Sequence, residues 1–204
     1  MSPRPTLLVA TGNPGKLREF RAILADLEVE WASLGDFPDV VLPEEGDEYA
    51  PNAIAKAVTA ATGAGCVAIA DDSGLEVDGL GGRPGPHSAR YGGPGLDDGG
   101  RVRHLLAEMA DCRGEARAAR FVCHAVVATP DGQHEHRVGV CEGRIVAAPE
   151  GEGGFGYDPV FFCSEAGQVM ASLPEATKNA ISHRGRAFAE LRPALERALG
   201  LADR

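Results

Sequence analysis

Two short apolar runs constrain the fold most: residues 6–10 (TLLVA) and 66–70 (CVAIA). Both are too short for a helix and lack the alternation of a strand with one wet face, so each reads as a buried strand. The first ends in the turn formers Thr11-Gly12-Asn13-Pro14-Gly15. Leu17, Phe20, Arg21, Ile23, Leu24 and Leu27 then recur at helical spacing, which predicts a helix over 15–27, with another strand over 28–34. A helix over 51–64 opens on Pro51 in its first turn. The second apolar run leads straight into Asp71-Asp72-Ser73-Gly74. Asp97 or Asp98 caps a helix reaching to about Met109, and 118–129 with 134–142 form a hairpin around Pro130-Asp131-Gly132. A glycine-rich loop over 151–158 precedes a strand at 160–162. The last helix covers 184–199, with Pro193 marking a kink or a break. No repeat or domain-length linker interrupts residues 1–204, so a single domain is expected. Its element order predicts an α/β protein with a mixed β-sheet and a cleft between two sheet lobes.

The formal net charge of −10 argues against a nucleic acid or an anionic membrane as the main partner. Five cysteines without a C-x-x-C pattern suggest a reducing compartment, not a disulfide framework or a zinc site. Residues 1–6 lack the pattern of a leader, and no apolar run approaches the ~20 residues of a membrane span, so a cytoplasmic protein is expected. His134 and His136 share a strand face, a weak metal signal that an exposed face explains better.

Five segments carry chemistry. Thr11, Gly12, Asn13, Pro14, Gly15 and Lys16 lie between a strand end and a helix start, where backbone amides and the helix dipole favour an anion. Lys16 adds a full charge and Asn13 an amide donor. A Walker A loop is excluded, because Gly12 and Gly15 enclose two residues where that loop needs four, and Leu17 replaces its hydroxyl residue. Of the 20 basic residues only Lys16, Lys56 and Lys178 are lysines, each in a motif-like segment, which points to places needing a compact ammonium. Asn52 and Lys56 share a helix face above the acidic loop Glu44-Glu45-Gly46, a source of hard oxygen ligands. Asp71 and Asp72, adjacent at the end of a buried strand, repel each other in a low dielectric and make sense around a divalent cation. In Gly153-Gly154-Phe155-Gly156-Tyr157-Asp158 the glycines allow close backbone approach and the aromatics offer a stacking face for a base. Lys178, Ser182, His183 and Arg184 supply donors for a purine carbonyl or an anion.

Taken together, TGNPGK at 11–16, E-x-G at 44–46 with NA-x-x-KA at 52–57, ADDSGL at 70–75, GGFGYDP at 153–159 and K-x-x-x-S-H-R-G at 178–185 resemble the inosine triphosphate pyrophosphatase family. The stretch GGRPGPHSARY at 81–91 is also typical of it. The resemblance implies an elongated, two-lobed mixed-sheet fold around a central nucleotide cleft, usually a homodimer. The implied reaction is Mg²⁺-dependent hydrolysis of ITP, dITP and XTP to the monophosphate and pyrophosphate. It implies that Thr11 to Lys16 cradle the triphosphate with Lys56, and that Glu44 and Asp72 hold Mg²⁺. Asp72 would also act as general base and Ser73 would touch substrate. Phe155, Gly156, Tyr157, Asp158, Lys178, His183 and Arg184 would hold the base and neighbouring phosphates. The chain departs from the family at Pro51, where an acid is usual, and at Glu48-Tyr49, where Thr-Phe is usual. Glu44 is preferred to Glu45 because it stands two residues before Gly46 and eight before Asn52. A pyrophosphatase for modified pyrimidine nucleotides and a non-catalytic nucleotide sensor are the alternatives.

Overall fold

The computed structural model of the protein describes residues 3–202. Met1 and Ser2, part of the segment read for a leader, and Asp203-Arg204 lie outside the described residues. Strand β1 (Thr6–Val9) runs parallel to both β2 (Glu30–Ser33) and β3 (Val67–Val77), with Leu7 opposite Trp31 on one side and Val67 on the other. The sheet continues from β3 through β5 (Ala118–Ala128), β6 (His134–Ile145), β7 (Phe161–Cys163) and β8 (Gln168–Val169). A two-residue β4 (Pro84–Gly85) pairs antiparallel with β3, and β6–β7 and β7–β8 are antiparallel too. The sheet is therefore mixed, as the order of elements predicted. The chain divides into two compact units, residues 1–72, 123–139 and 184–204, and residues 73–122 and 140–183.

In the first unit both sheet faces are covered, which is why its strands read as unbroken apolar runs. Successive strand side chains alternate between faces. Leu7, Val9, Val67 and Ile69 pack with Phe20 of α1 (Pro14–Ile23) and with Phe188, Leu191 and Leu195 of α5 (His183–Leu199). Leu8, Ala10, Ala68 and Ala70 pack with Ala53, Ala57, Ala60 and Ala61 of α2 (Tyr49–Ala64). Helix α2 begins two residues earlier than predicted, because Pro51 falls in a first turn whose amides need no intrahelical acceptor. Helix α5 does not break at Pro193; its buried face of Leu191, Ala194 and Leu195 offsets the missing hydrogen bond. Helix α1 ends at Ile23, short of the predicted Leu27.

The second unit packs α3 (Asp98–Glu108) through Val102 and Leu105 onto Leu75, Val77, Phe121 and Phe161. Asp97 caps α3, accepting from Gly100 N at 2.7 Å. The seven-residue α4 (Glu175–Ile181), which periodicity did not predict, carries Lys178. No helix among the described residues is long and apolar enough to cross a membrane.

On the first unit Tyr49, His124 and His136 form a stack of three rings, with centroid spacings of 5.3 and 4.9 Å. His136 Nε2 and His124 Nδ1 are 3.0 Å apart, so one ring donates to the other and the pair shares a proton. His136 thus partners His124, not His134. Burial first, and positive neighbours second, hold both imidazoles below their ordinary pKa. A depressed histidine adds stability that is complete above about pH 6.5 and is lost as pH falls through its folded value. The melting temperature is expected to fall as pH drops below about 6.5, and His136→Asn to flatten that fall. An unchanged acid slope in thermal melts of the variant refutes the assignment.

Candidate active site

The TGNPGK segment forms the turn from β1 into α1 and spends much of its own polarity there. Asn13 is the N-cap; its Oδ1 accepts from Gly15 N at 2.8 Å and Lys16 N at 3.2 Å, while Asn13 N donates to Thr11 Oγ1 at 3.1 Å. Pro14 follows in the first turn, where no amide is required. Among the described residues the Gly12 amide has no intramolecular acceptor, so the loop presents that amide and the Lys16 ammonium to an anion.

Strand β3 does not end before the two aspartates, as the sequence predicted, but carries them in its middle. Adjacent strand residues face opposite ways, and the two carboxylates make their direct contacts with different cations. Asp71, on the face of α1 and α5, accepts from Arg184 Nη2 at 2.8 Å and Nε at 3.1 Å and pairs with Lys16 Nζ at 2.9 Å. Arg184, only 2% exposed, also donates to Glu19 of α1. Burial opposes its charge, and Asp71 and Glu19 hold it protonated nonetheless. The guanidinium expected at the base is therefore committed to two buried carboxylates.

Asp72, on the face of α2, is 3% exposed and accepts from Asn52 Nδ2 at 2.9 Å, with Lys56 Nζ at 3.3 Å. The Asn52 amide also accepts from Gly46 N at 2.7 Å and donates to Gly46 O at 3.1 Å. One side chain thus ties the acidic loop to the carboxylate, because Asn52 presents an acceptor and two donors at the start of a helix facing both. Glu45 is bound to Lys56 at 2.5 Å. Glu44, next to it, is exposed and has no hydrogen-bond or ion-pair partner among the described residues. Burial opposes the Lys56 ammonium, but Asp71, Asp72 and Glu45 together raise it above the ordinary lysine value. Burial pushes Asp72 above the usual carboxylate range, with Lys56 and Asn52 pulling the other way. The two shifts have different causes: burial raises Asp72, while the three acids around Lys56 outweigh its burial.

The buried Asp72 carboxylate and the exposed Glu44 are the oxygen donors that could serve a hard divalent cation. Among the described residues no three His, Cys, Asp or Glu side chains converge as a ready-made metal site, and Mg²⁺ held partly by substrate phosphates needs none. Ser73 follows Asp72 on β3 and is half-buried.

The second unit brings Phe155, Asp158 and Lys178 together. Lys178 Nζ lies 2.5 Å from Asp158 Oδ2 and 5.1 Å from the centre of the Phe155 ring. The same Asp158 oxygen accepts from Phe155 N at 2.9 Å. Gly154 has φ +73°, and a Cβ there would strike the Asp158 carboxylate, so only glycine fits. Gly156 N and the Tyr157 hydroxyl donate to Asp98 Oδ2 and Ser88 O, each at 2.9 Å. His183 is buried and stacks on Phe121 at 4.8 Å.

Sequence reasoning missed Glu19, Ser88 and Asp98. Glu19 left one signal, an acid four positions before Ile23 on a helix predicted to bury that face. Ser88 lay in the GGRPGPHSARY stretch and Asp98 was a candidate helix cap, but neither position pointed to its partner at 156–157.

A sequence model of the Ham1 family matches residues 7–194. The chain is 47% identical over 195 residues to a dITP/XTP pyrophosphatase of Geobacillus kaustophilus, covering 95% of this chain and 96% of that one. It is 48% identical over 187 residues to the dITP/XTP pyrophosphatase of Geobacter sulfurreducens, covering 91% and 94%. Its fold is similar to that of a HAM1 protein from Coxiella burnetii, with a TM-score of 0.83 and 36% identity over 95% of this chain and 99% of that one.

Proposed function

The chain belongs to the Ham1 family, and on that premise we propose that it hydrolyses deaminated purine nucleoside triphosphates, ITP, dITP and XTP, to the monophosphate and pyrophosphate. The observation that carries this reading is the buried Asp72 carboxylate, oriented by Asn52 at 2.9 Å with Lys56 at 3.3 Å. The whole chain is taken as one functional domain.

Glu44 and Asp72 are the residues that would hold Mg²⁺, which when bound supplies charge neutralisation on the triphosphate oxygens. Asp72 is placed as the general base; its carboxylate accepts a proton from the attacking water, whose oxygen bonds to phosphorus while the anhydride bond between the α- and β-phosphoryl groups breaks. Asp71 does not share this work, since Arg184 and Lys16 occupy it on the other face of β3. The Gly12 amide and the Lys16 and Lys56 ammoniums take the charge that grows on the leaving pyrophosphate. Thr11, Asn13, Pro14 and Gly15 shape the turn that presents them, and Ser73 contacts substrate.

The base is assigned to Phe155, Gly156, Tyr157, Asp158, Lys178 and His183. Lys178 has donors and no acceptor, so it pairs with the C6 oxygen of hypoxanthine or xanthine and meets the C6 amino group of adenine unfavourably. Arg184 acts from behind, holding Asp71 and through it Lys16. The resemblance extends the proposal to a homodimer, the scattered cysteines to the reducing cytoplasm, and the net charge of −10 to a nucleotide, not a nucleic acid, as partner.

The test is turnover of dITP against metal concentration. Activity is expected to vanish in EDTA and return with Mg²⁺, releasing dIMP and pyrophosphate. Glu44→Gln is expected to raise the Mg²⁺ needed for half-maximal rate by roughly tenfold or more, and Glu45→Gln by much less, because Glu45 is engaged by Lys56. Equal shifts in the two variants contradict the choice of Glu44, and turnover in EDTA contradicts the metal.

A further inference from the structure

The segment GGRPGPHSARY and the aspartates beyond it have no part in the reaction as assigned above, yet they hold the loop that carries the base-stacking ring. Ser88 is buried and ties three elements together. Its Oγ accepts from Leu75 N at 2.8 Å and donates to Gly85 O at 2.6 Å, and its carbonyl receives the Tyr157 hydroxyl at 2.9 Å. Arg101 of α3 fastens the next residue, donating from Nε to Ala89 O at 2.9 Å. Asp97 is used as the cap of α3, which leaves Asp98 with its carboxylate turned outward onto Gly156 N at 2.9 Å.

The loop needs such support. Gly154 and Gly156 both have positive φ, at +73° and +60°, and they flank Phe155. Glycine has the largest set of backbone states to lose, so a ring between two glycines is poorly placed unless its neighbours are held. On one side the Phe155 amide is held by Asp158 at 2.9 Å. On the other, the next amide is held by Asp98. Removing either contact frees the peptide to which the ring is attached.

We propose that Asp98 is a positioning residue for base recognition: by holding the Gly156 amide it fixes the pose of Phe155 and so sets the affinity for the purine. The inference rests on the reading that this loop receives the base. Asp98 touches no reacting group, so its loss weakens binding of ground state and transition state alike, raising KM and leaving kcat in place. The contact is an exposed hydrogen bond to a charged acceptor, so the effect is moderate, about 5–10-fold.

The experiment compares Asp98→Ala and Asp98→Asn with the unaltered protein. It uses steady-state ITP kinetics and amide hydrogen exchange of the peptide spanning residues 153–157. Asp98→Ala is expected to raise KM about 5–10-fold with kcat within about twofold, and to speed exchange in that peptide. Asparagine keeps an acceptor oxygen at the same place, so Asp98→Asn is expected to restore both readouts, although it loses the charge at the start of α3. A helix-stabilising role alone predicts the reverse, with both variants alike and exchange changed in α3. Unchanged KM, an equal loss of kcat, or failure of asparagine to rescue overturns the proposal. A protein that leaves ITP intact overturns the proposed function instead. The clamp is then judged on exchange alone, and unchanged exchange in Asp98→Ala overturns it.

Discussion

Asp72→Asn is expected to lower kcat for ITP by about 10³–10⁴-fold while the protein melts no lower than before. The substitution removes the proton acceptor and one of the two carboxylates assigned to the metal, but keeps the shape of the side chain. Its amide oxygen still accepts from Asn52, and Lys56 keeps Glu45. Stability follows from the direction of the Asp72 shift. Burial raises its folded pKa, so its contribution is complete below the ordinary carboxylate value and is lost as pH rises through the folded one. At neutral pH the ionised group is therefore a cost to the fold, and its neutral isostere removes that cost. Kinetics and thermal melts at pH 7.5 check both halves. A fall in melting temperature matching the loss of rate would make Asp72 a structural residue.

Arg184→Met is expected to destabilise the protein by about 3–5 kcal/mol. The guanidinium is buried and serves Asp71 and Glu19 together; without it both buried carboxylates lose a cation, although Asp71 still has Lys16. For a chain of this size that corresponds to a melting temperature roughly 6–20 °C lower. Removing one partner of a buried ion pair costs more than removing the set, so Glu19→Met in the same chain is expected to return part of the loss. Calorimetry of the single and double variants tests this. Additive losses contradict the ion triad. Activity falls as well, because Asp71 also holds Lys16 at 2.9 Å.

The layers of the first unit were legible because local pattern and tertiary burial agree: the TLLVA run predicts a strand and β1 is covered on both faces. The β5–β6 hairpin was legible from Pro130-Asp131-Gly132, where Gly132 takes φ +84° and donates to Thr129 O. The end of β3 was misjudged, because a strand is held by its neighbours' backbones and continues through polar residues that find partners. Those partners were the illegible part. Arg184 reaches Asp71 across 113 positions and Glu19 across 165, distances over which spacing carries no signal. The two aspartates looked like a repelling pair because adjacency in sequence hides that a strand sends neighbours to opposite faces. Asn52 and Lys56 were correctly expected on one helix face, since i and i+4 are neighbours on any helix. The tie from Asn52 to Gly46 depends on how the loop folds back, which no local pattern encodes.

The most direct test is product analysis of the purified protein with Mg²⁺ and, separately, ITP, XTP, dITP, GTP, ATP and dTTP, resolved by ion-exchange chromatography. The account predicts pyrophosphate with IMP, XMP or dIMP, and turnover of GTP and ATP at least about a hundredfold less efficient. Release of phosphate with a diphosphate, or equal turnover of ITP, GTP and ATP, contradicts it.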